Sequence, residues 1–186
     1  EKIKRDVRIT LIYEGTSEVL QSVIALTRWQ DTLRTKGRFH LDMADELQRL
    51  DPDGRAGGPT AALGLRALAA TLAEARRQKL TRSQWVQFRL AETIAELEVA
   101  GALVRASLRD ETPAGEDLRT RARVRAREVA LETATAAVEI VLGAGTLDPA
   151  ARTAFSSNAC LDAIHAAQAG RVADMDAVAK ALAERA

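Results

Sequence analysis

Apolar residues recur along this chain at steps of three and four, the spacing that places them on one face of an α-helix. The pattern is strongest beyond Pro59. Leu65, Leu68, Leu72 and Ala75 predict a helix over roughly residues 60–79, and Thr81-Arg82-Ser83-Gln84 has the form of a capping box opening the next one. That next helix is expected to be the longest. Leu90, Ile94, Leu97, Gly101, Val104 and Leu108 make one continuous seam along it, with Trp85 and Phe88 as core or interface anchors at its start. Gly101 is where a neighbouring helix is expected to come close. Thr112-Pro113-Ala114-Gly115 stops the helix. A stripe of mostly small residues, from Leu118 through Ala122, Ala126, Val129, Thr133 and Ala136 to Ile140, predicts another over about residues 116–142, ended by Gly143-Ala144-Gly145. Asp148-Pro149 is an N-cap with proline at the first helical position, so a short helix restarts there and runs, with a break, through Leu161 and Ile164. A last helix is expected to be capped near Asp174, with Met175, Val178 and Leu182 as its face.

Upstream of Pro59 the pattern is weaker. Val19, Val23 and Leu26, with Leu20 and Ile24 beside them, predict a helix from residue 18 to about 28 that frays near Trp29. Between residues 31 and 59 only Phe39, Leu41, Met43, Leu47 and Leu50 suggest one short amphipathic helix. Asp51-Pro52-Asp53-Gly54 and Gly57-Gly58-Pro59 are turn or linker chemistry. The expected organisation is therefore a segment over residues 1–30, a linker over 31–59 and a C-terminal helical domain over 60–186. No alternating β-branched run competes with helix anywhere. The fold class is all-α, with an antiparallel bundle of about four main helices after Pro59.

Composition narrows the function classes. A chain of 186 residues with 47% hydrophobic and only 3% aromatic residues must build its core from Ala, Leu, Val and Ile, which suits closely packed helices. A net charge of +1 gives no electrostatic argument for nucleic acid or for an anionic membrane surface. The single cysteine, Cys160, excludes an internal disulfide and leaves no zinc-ligand cluster. No signal-peptide pattern or membrane-spanning apolar run is present, so a soluble protein is expected.

The candidate chemistry lies near the start, in Ile12-Tyr13-Glu14-Gly15-Thr16-Ser17-Glu18. Gly15 permits a tight turn or a close approach to a ligand, and Thr16 or Ser17 can cap the helix that follows. Glu14 is thereby held at a helix entrance, where N–H donors and the helix dipole favour its anion while apolar neighbours oppose ionisation. A carboxylate so placed can accept a proton from a substrate within hydrogen-bond reach. The bland alternative is a surface acid beside a helix cap.

With Arg5-Asp6-Val7-Arg8-Ile9 before it and Val19 after it, this stretch resembles the C-terminal signature of the acyl-CoA dehydrogenases, where an RD-x-RI helix end runs into a YEGT turn and a final helix. The likeness covers about fifteen positions in type and order. In the medium-chain and very-long-chain branches the glutamate matching Glu14 removes the α-proton of a fatty acyl thioester while the β-hydride passes to FAD. The resemblance implies Glu14 as catalytic base, Tyr13 and Gly15 at the acyl substrate, and Thr16, Ser17 and Glu18 as flavin contacts. It also implies a fatty acyl-CoA substrate and electron-transfer flavoprotein or a similar acceptor as partner. Gln84 to Leu108 and Asp174 to Arg185 look like the long and last helices of the extra C-terminal domain of the very-long-chain branch, which implies a homodimer. The expected location is bacterial cytoplasm or, in a eukaryote, the mitochondrion, with membrane association left open.

Because the first residue is Glu and the signature begins at once, the chain is expected to be part of a longer enzyme, catalytically inactive and without FAD of its own. The competing expectation is a non-catalytic helical module for dimerisation or docking that keeps a remnant of the motif. Other features read blandly. Arg119, Arg121, Arg123, Arg125 and Arg127 fall on both flanks of the apolar stripe, so a solvated or snorkelling flank is expected instead of a nucleic-acid patch. His40 and His165 read as surface or satisfied histidines, and Cys160 as a small buried apolar residue.

Overall fold

The computed structural model describes residues 17–184, without the side chains of Ser17 and Pro113. Among the described residues the protein is all-α, with eight α-helices and no strand. They are α1 (Ser17–Arg34), α2 (Arg38–Leu50), α3 (Gly58–Arg77), α4 (Gln84–Ser107), α5 (Pro113–Ala137), α6 (Pro149–Asn158), α7 (Leu161–Ala166) and α8 (Arg171–Ala183). A 3₁₀ turn, Leu80–Arg82, precedes α4, and a π turn, Val138–Leu142, continues α5. The main packing runs between α2 and α3, α4 and α5, α3 and α5, and α1 and α4.

The central helices follow the apolar spacing. Leu90, Ile94, Leu97, Gly101 and Val104 are buried on α4, and Ala122, Ala126, Val129, Thr133 and Ala136 on α5, with Ile140 in the π turn. About half of the buried hydrophobic residues are alanine, which lets helices approach closely. One close junction is at Gly64 of α3, where an added Cβ would lie 2.7 Å from Leu97 Cδ2 and 3.3 Å from Ala130 Cα. Gly101, by contrast, is covered by the Leu47 side chain, not by a second backbone; Leu47 Cδ1 would lie 3.5 Å from a Cβ placed there.

The helix ends differ from expectation in physically informative ways. No capping box forms at α4: the Ser83 side chain makes no capping bond, and the Gln87 amide side chain reaches back to the Thr81 carbonyl at 2.8 Å. Thr112 caps α5 instead of merely ending α4, accepting from the Gly115 N–H at 3.4 Å. Pro113 then opens a 25-residue helix, one residue longer than α4. Asp148 caps α6 as expected, accepting from the Ala151 N–H at 2.8 Å. α1 does not fray at Trp29; it continues to Arg34, because Trp29 packs on the core and Arg28 is anchored to α4.

Residues 38–58 belong to the core. α2 buries His40, Ala44 and Leu47, and its Glu46 receives two N–H bonds from Arg105 of α4, at 2.9 and 2.6 Å. The turn after it is organised by Asp51, only 2% exposed, whose Oδ2 accepts the N–H groups of Ala56 (2.9 Å) and Gly58 (2.8 Å). Gly57, at φ 83°, lies so close to α5 that a Cβ would meet Ala126 Cβ at 2.9 Å. The expected linker chemistry is thus a close-packed joint, in which a buried carboxylate satisfies amides that would otherwise be orphaned at the start of α3.

Candidate functional site

Tyr13, Glu14, Gly15 and Thr16 lie outside the described residues. Ser17 is the first residue of α1, and Glu18 is an exposed acid in its first turn, with its carbonyl accepting the Ser22 hydroxyl at 2.8 Å. The first-turn N–H groups of a helix have no intrahelical acceptor, and a carboxylate beside them complements the helix dipole.

What holds α1 is better defined. Gln21 donates to Glu92 of α4 at 2.9 Å. Arg28 makes a two-pronged contact with Glu98 of α4, at 2.5 and 2.7 Å, and a third bond to Asp31 at 3.1 Å. The Glu98 hydrogen bond raises the guanidinium further above its ordinary range. The same guanidinium sits 5.3 Å from the centre of the Phe39 ring, whose edge-on neighbour is His40. His40 is not at the surface. It is 1% exposed, its Nε2 has no hydrogen-bond partner, and burial pushes it down to about 4.

Beside α1 runs an open trough in two parts. One part, about 590 Å³, lies between the end of α1 and α3 and is rimmed by Lys36, Arg66 and Arg76 over an apolar floor that includes Trp29, Leu41 and Leu72. The other, about 310 Å³, continues between α1 and α4 and is lined by Leu26, Leu90 and Ile94 without a charged side chain. Trp29 and Leu72 line both parts. On the outer flank of α1 a shallower depression holds Val23, Val99 and Ala102.

The other residues singled out in the sequence are structural or exposed. The arginines of α5 are buried or half-buried instead of fully solvated, and Arg119, Arg123, Arg125 and Arg127 reach groups outside the helix. Arg119 is 5% exposed and donates to the carbonyl of Asp110 at 2.6 Å and to Glu116 at 2.9 Å. Arg121 is within 2.9 Å of Asp117, and Arg125 pairs with Glu96 and Glu128. Arg123 and Arg127 both grip Asp174, with Arg123 also bonded to the Arg55 carbonyl at 2.6 Å. Asp174 is therefore a long-range anchor, and α8 begins at Arg171 after Gly170. Met175 and Leu182 of α8 are exposed, and Val178 is half-buried. Trp85 is 55% exposed, while Val86 takes the buried place beside it. Cys160 is half-buried, not buried, and stands at φ 53° in the break between α6 and α7. His165 is exposed. Among the described residues no group of three or more His, Cys, Asp or Glu could hold a metal ion, and no helix is long and apolar enough to cross a membrane.

Comparison of the chain with protein-family models, curated proteins and solved structures found no match.

Proposed function

We propose that this chain is the C-terminal portion of an FAD-dependent acyl-CoA dehydrogenase, in which Glu14 removes the α-proton of a fatty acyl-CoA. The observation that carries the reading is the order along the chain: the motif from Arg5 to Thr16 is followed at once by residues of the helix Ser17–Arg34. On this reading Glu14 is the base, and a carboxylate held at a helix entrance is kept ionised by the N–H donors there and is ready to take a proton. On the same reading Tyr13 and Gly15 contact the acyl substrate. Thr16, Ser17 and Glu18 are the groups this chain offers to a flavin, which when bound accepts the β-hydride. Of that set Glu18 is described, and its exposure fits a contact role.

The test is Glu14→Gln in the full-length protein containing this chain. Glutamine keeps size and hydrogen bonding but removes the base, so anaerobic bleaching of the flavin by acyl-CoA should slow by about a hundredfold or more with flavin content unchanged. Near-normal bleaching would overturn the assignment. A second reading, a helical dimerisation or docking module, is favoured by the exposed apolar side chains of α1 and α8: Leu26 is 60% exposed and Val172 is 72% exposed. The reading frame upstream separates the two. An N-terminal helical domain followed by a middle β domain supports the enzyme, and their absence supports the module.

A further inference from the structure

The two-part trough beside α1 has a graded polarity that none of the foregoing functions uses. At one end Lys36, Arg66 and Arg76 converge from the α1–α2 turn and α3, and the lining there contains no carboxylate. Arg66 is paired with Asp45 at 3.2 Å, but Lys36 and Arg76 make no salt bridge among the described residues. Lys36 is held at the rim by a left-handed backbone, φ 52°, followed by Gly37 at φ 85°. At the other end the lining is apolar or neutral, built from Ala25, Leu26, Leu90 and Ile94 with Thr81 and Gln87 at the edge. Trp29 and Leu72 are common to both parts, so the charged and the apolar surface adjoin at these two side chains. Unpaired cations at one end of an elongated apolar groove complement a ligand with an anionic head and a hydrocarbon tail.

We propose that this trough binds a long-chain fatty acid, its carboxylate between Lys36 and Arg76 and its alkyl chain passing Trp29 toward Leu26 and Leu90. Volumes of about 590 and 310 Å³ for the two parts are in the range of small-molecule sites. The site is independent of the catalytic reading, because every group in it lies on described helices and turns beyond the Tyr13-to-Thr16 motif.

Trp29 supplies the reporter. The chain has two tryptophans, so Trp85→Phe leaves Trp29 alone. Titration of that variant with a dibrominated stearate below its micellar concentration should quench Trp29 saturably, at one ligand per chain, with oleate competing. Affinity should rise from octanoate toward stearate by up to about fourfold per methylene until the trough is full. Adding Lys36→Gln and Arg76→Gln, both at exposed positions, should weaken binding about tenfold with the helical circular dichroism unchanged, and oleyl alcohol should bind the unmodified trough as weakly. Absence of saturable quenching would overturn the proposal. So would equal affinity for acid and alcohol, or indifference to the double substitution. Quenching by brominated phosphatidylglycerol vesicles without quenching by monomeric fatty acid would also overturn it, and would assign the trough to an anionic lipid surface.

Discussion

His40 places an imidazole where water does not reach, against the edge of Phe39 and beneath the Arg28, Asp31 and Glu98 cluster. Desolvation lowers its pKa from 6.5 to about 4, with Glu98 opposing and Arg28 reinforcing the shift. The unfolded chain therefore binds a proton below about pH 6.5 that the folded chain refuses until about pH 4. Stability from this residue is fully present above pH 6.5 and is lost as the pH falls toward 4, by up to about 3 kcal/mol. Urea unfolding midpoints measured across that window should slope downward on acidification. In His40→Leu, which removes the titrating group and its unpartnered Nε2, the slope should largely vanish. A lone histidine between Phe39 and Leu41 announces none of this in the sequence, since the charged groups acting on it include Glu98, far along the chain on α4. Asp51 is similar. Its turn-forming neighbours were legible, but its two bonds to the start of α3 depend on how tightly Gly57 and Gly58 fold back.

Helix by helix, what the sequence disclosed depended on whether the burying partner was a regular stripe. α3, α4 and α5 bury the positions their three-and-four spacing marks, because each faces another helix along most of its length. α8 does not follow that rule: none of its side chains is buried, and its attachment is polar. Arg123 and Arg127 hold Asp174, Arg127 donates to the Ala167 carbonyl at 3.0 Å, and Gln168 returns a bond to the Arg127 carbonyl at 3.1 Å. Hydrogen bonds from Arg123 first, then Arg127, keep the Asp174 carboxyl below its ordinary range. Its contribution is thus present above the unfolded value of about 3.9 and is lost as the pH falls through its depressed folded value. Asp174→Asn should release α8 at neutral pH. Hydrogen exchange of residues 171–183 should become fast while α3, α4 and α5 stay protected, and unchanged protection of α8 would show that the clamp is dispensable. The candidate catalytic motif was read entirely from residue order. The trough was not readable at all, because Lys36, Arg66 and Arg76 are brought together only by the packing of α1, α2 and α3.

For the molecule as a whole, the boundary expected before residue 60 does not divide the core. α2 lies against α3, Leu47 covers Gly101 of α4, and Arg105 reaches back to Glu46. Removing residues 1–57 should strip several kcal/mol from the remaining helices, the scale of deleting more than one fully buried side chain and a charge-assisted pair. The shortened chain should lose a cooperative thermal transition while keeping much of its far-ultraviolet helix signal, and a sharp transition near that of the full chain would restore the boundary. An interior built half of alanine carries a mechanical consequence. Alanine has no rotamers to freeze, so ordering this core costs little side-chain entropy, yet it also has none to rearrange. The alanine half of such an interior cannot breathe by repacking its side chains. Motion where alanines meet must slide or tilt whole helices, and Gly57, Gly58 and Gly64 are places where one methyl group would jam it.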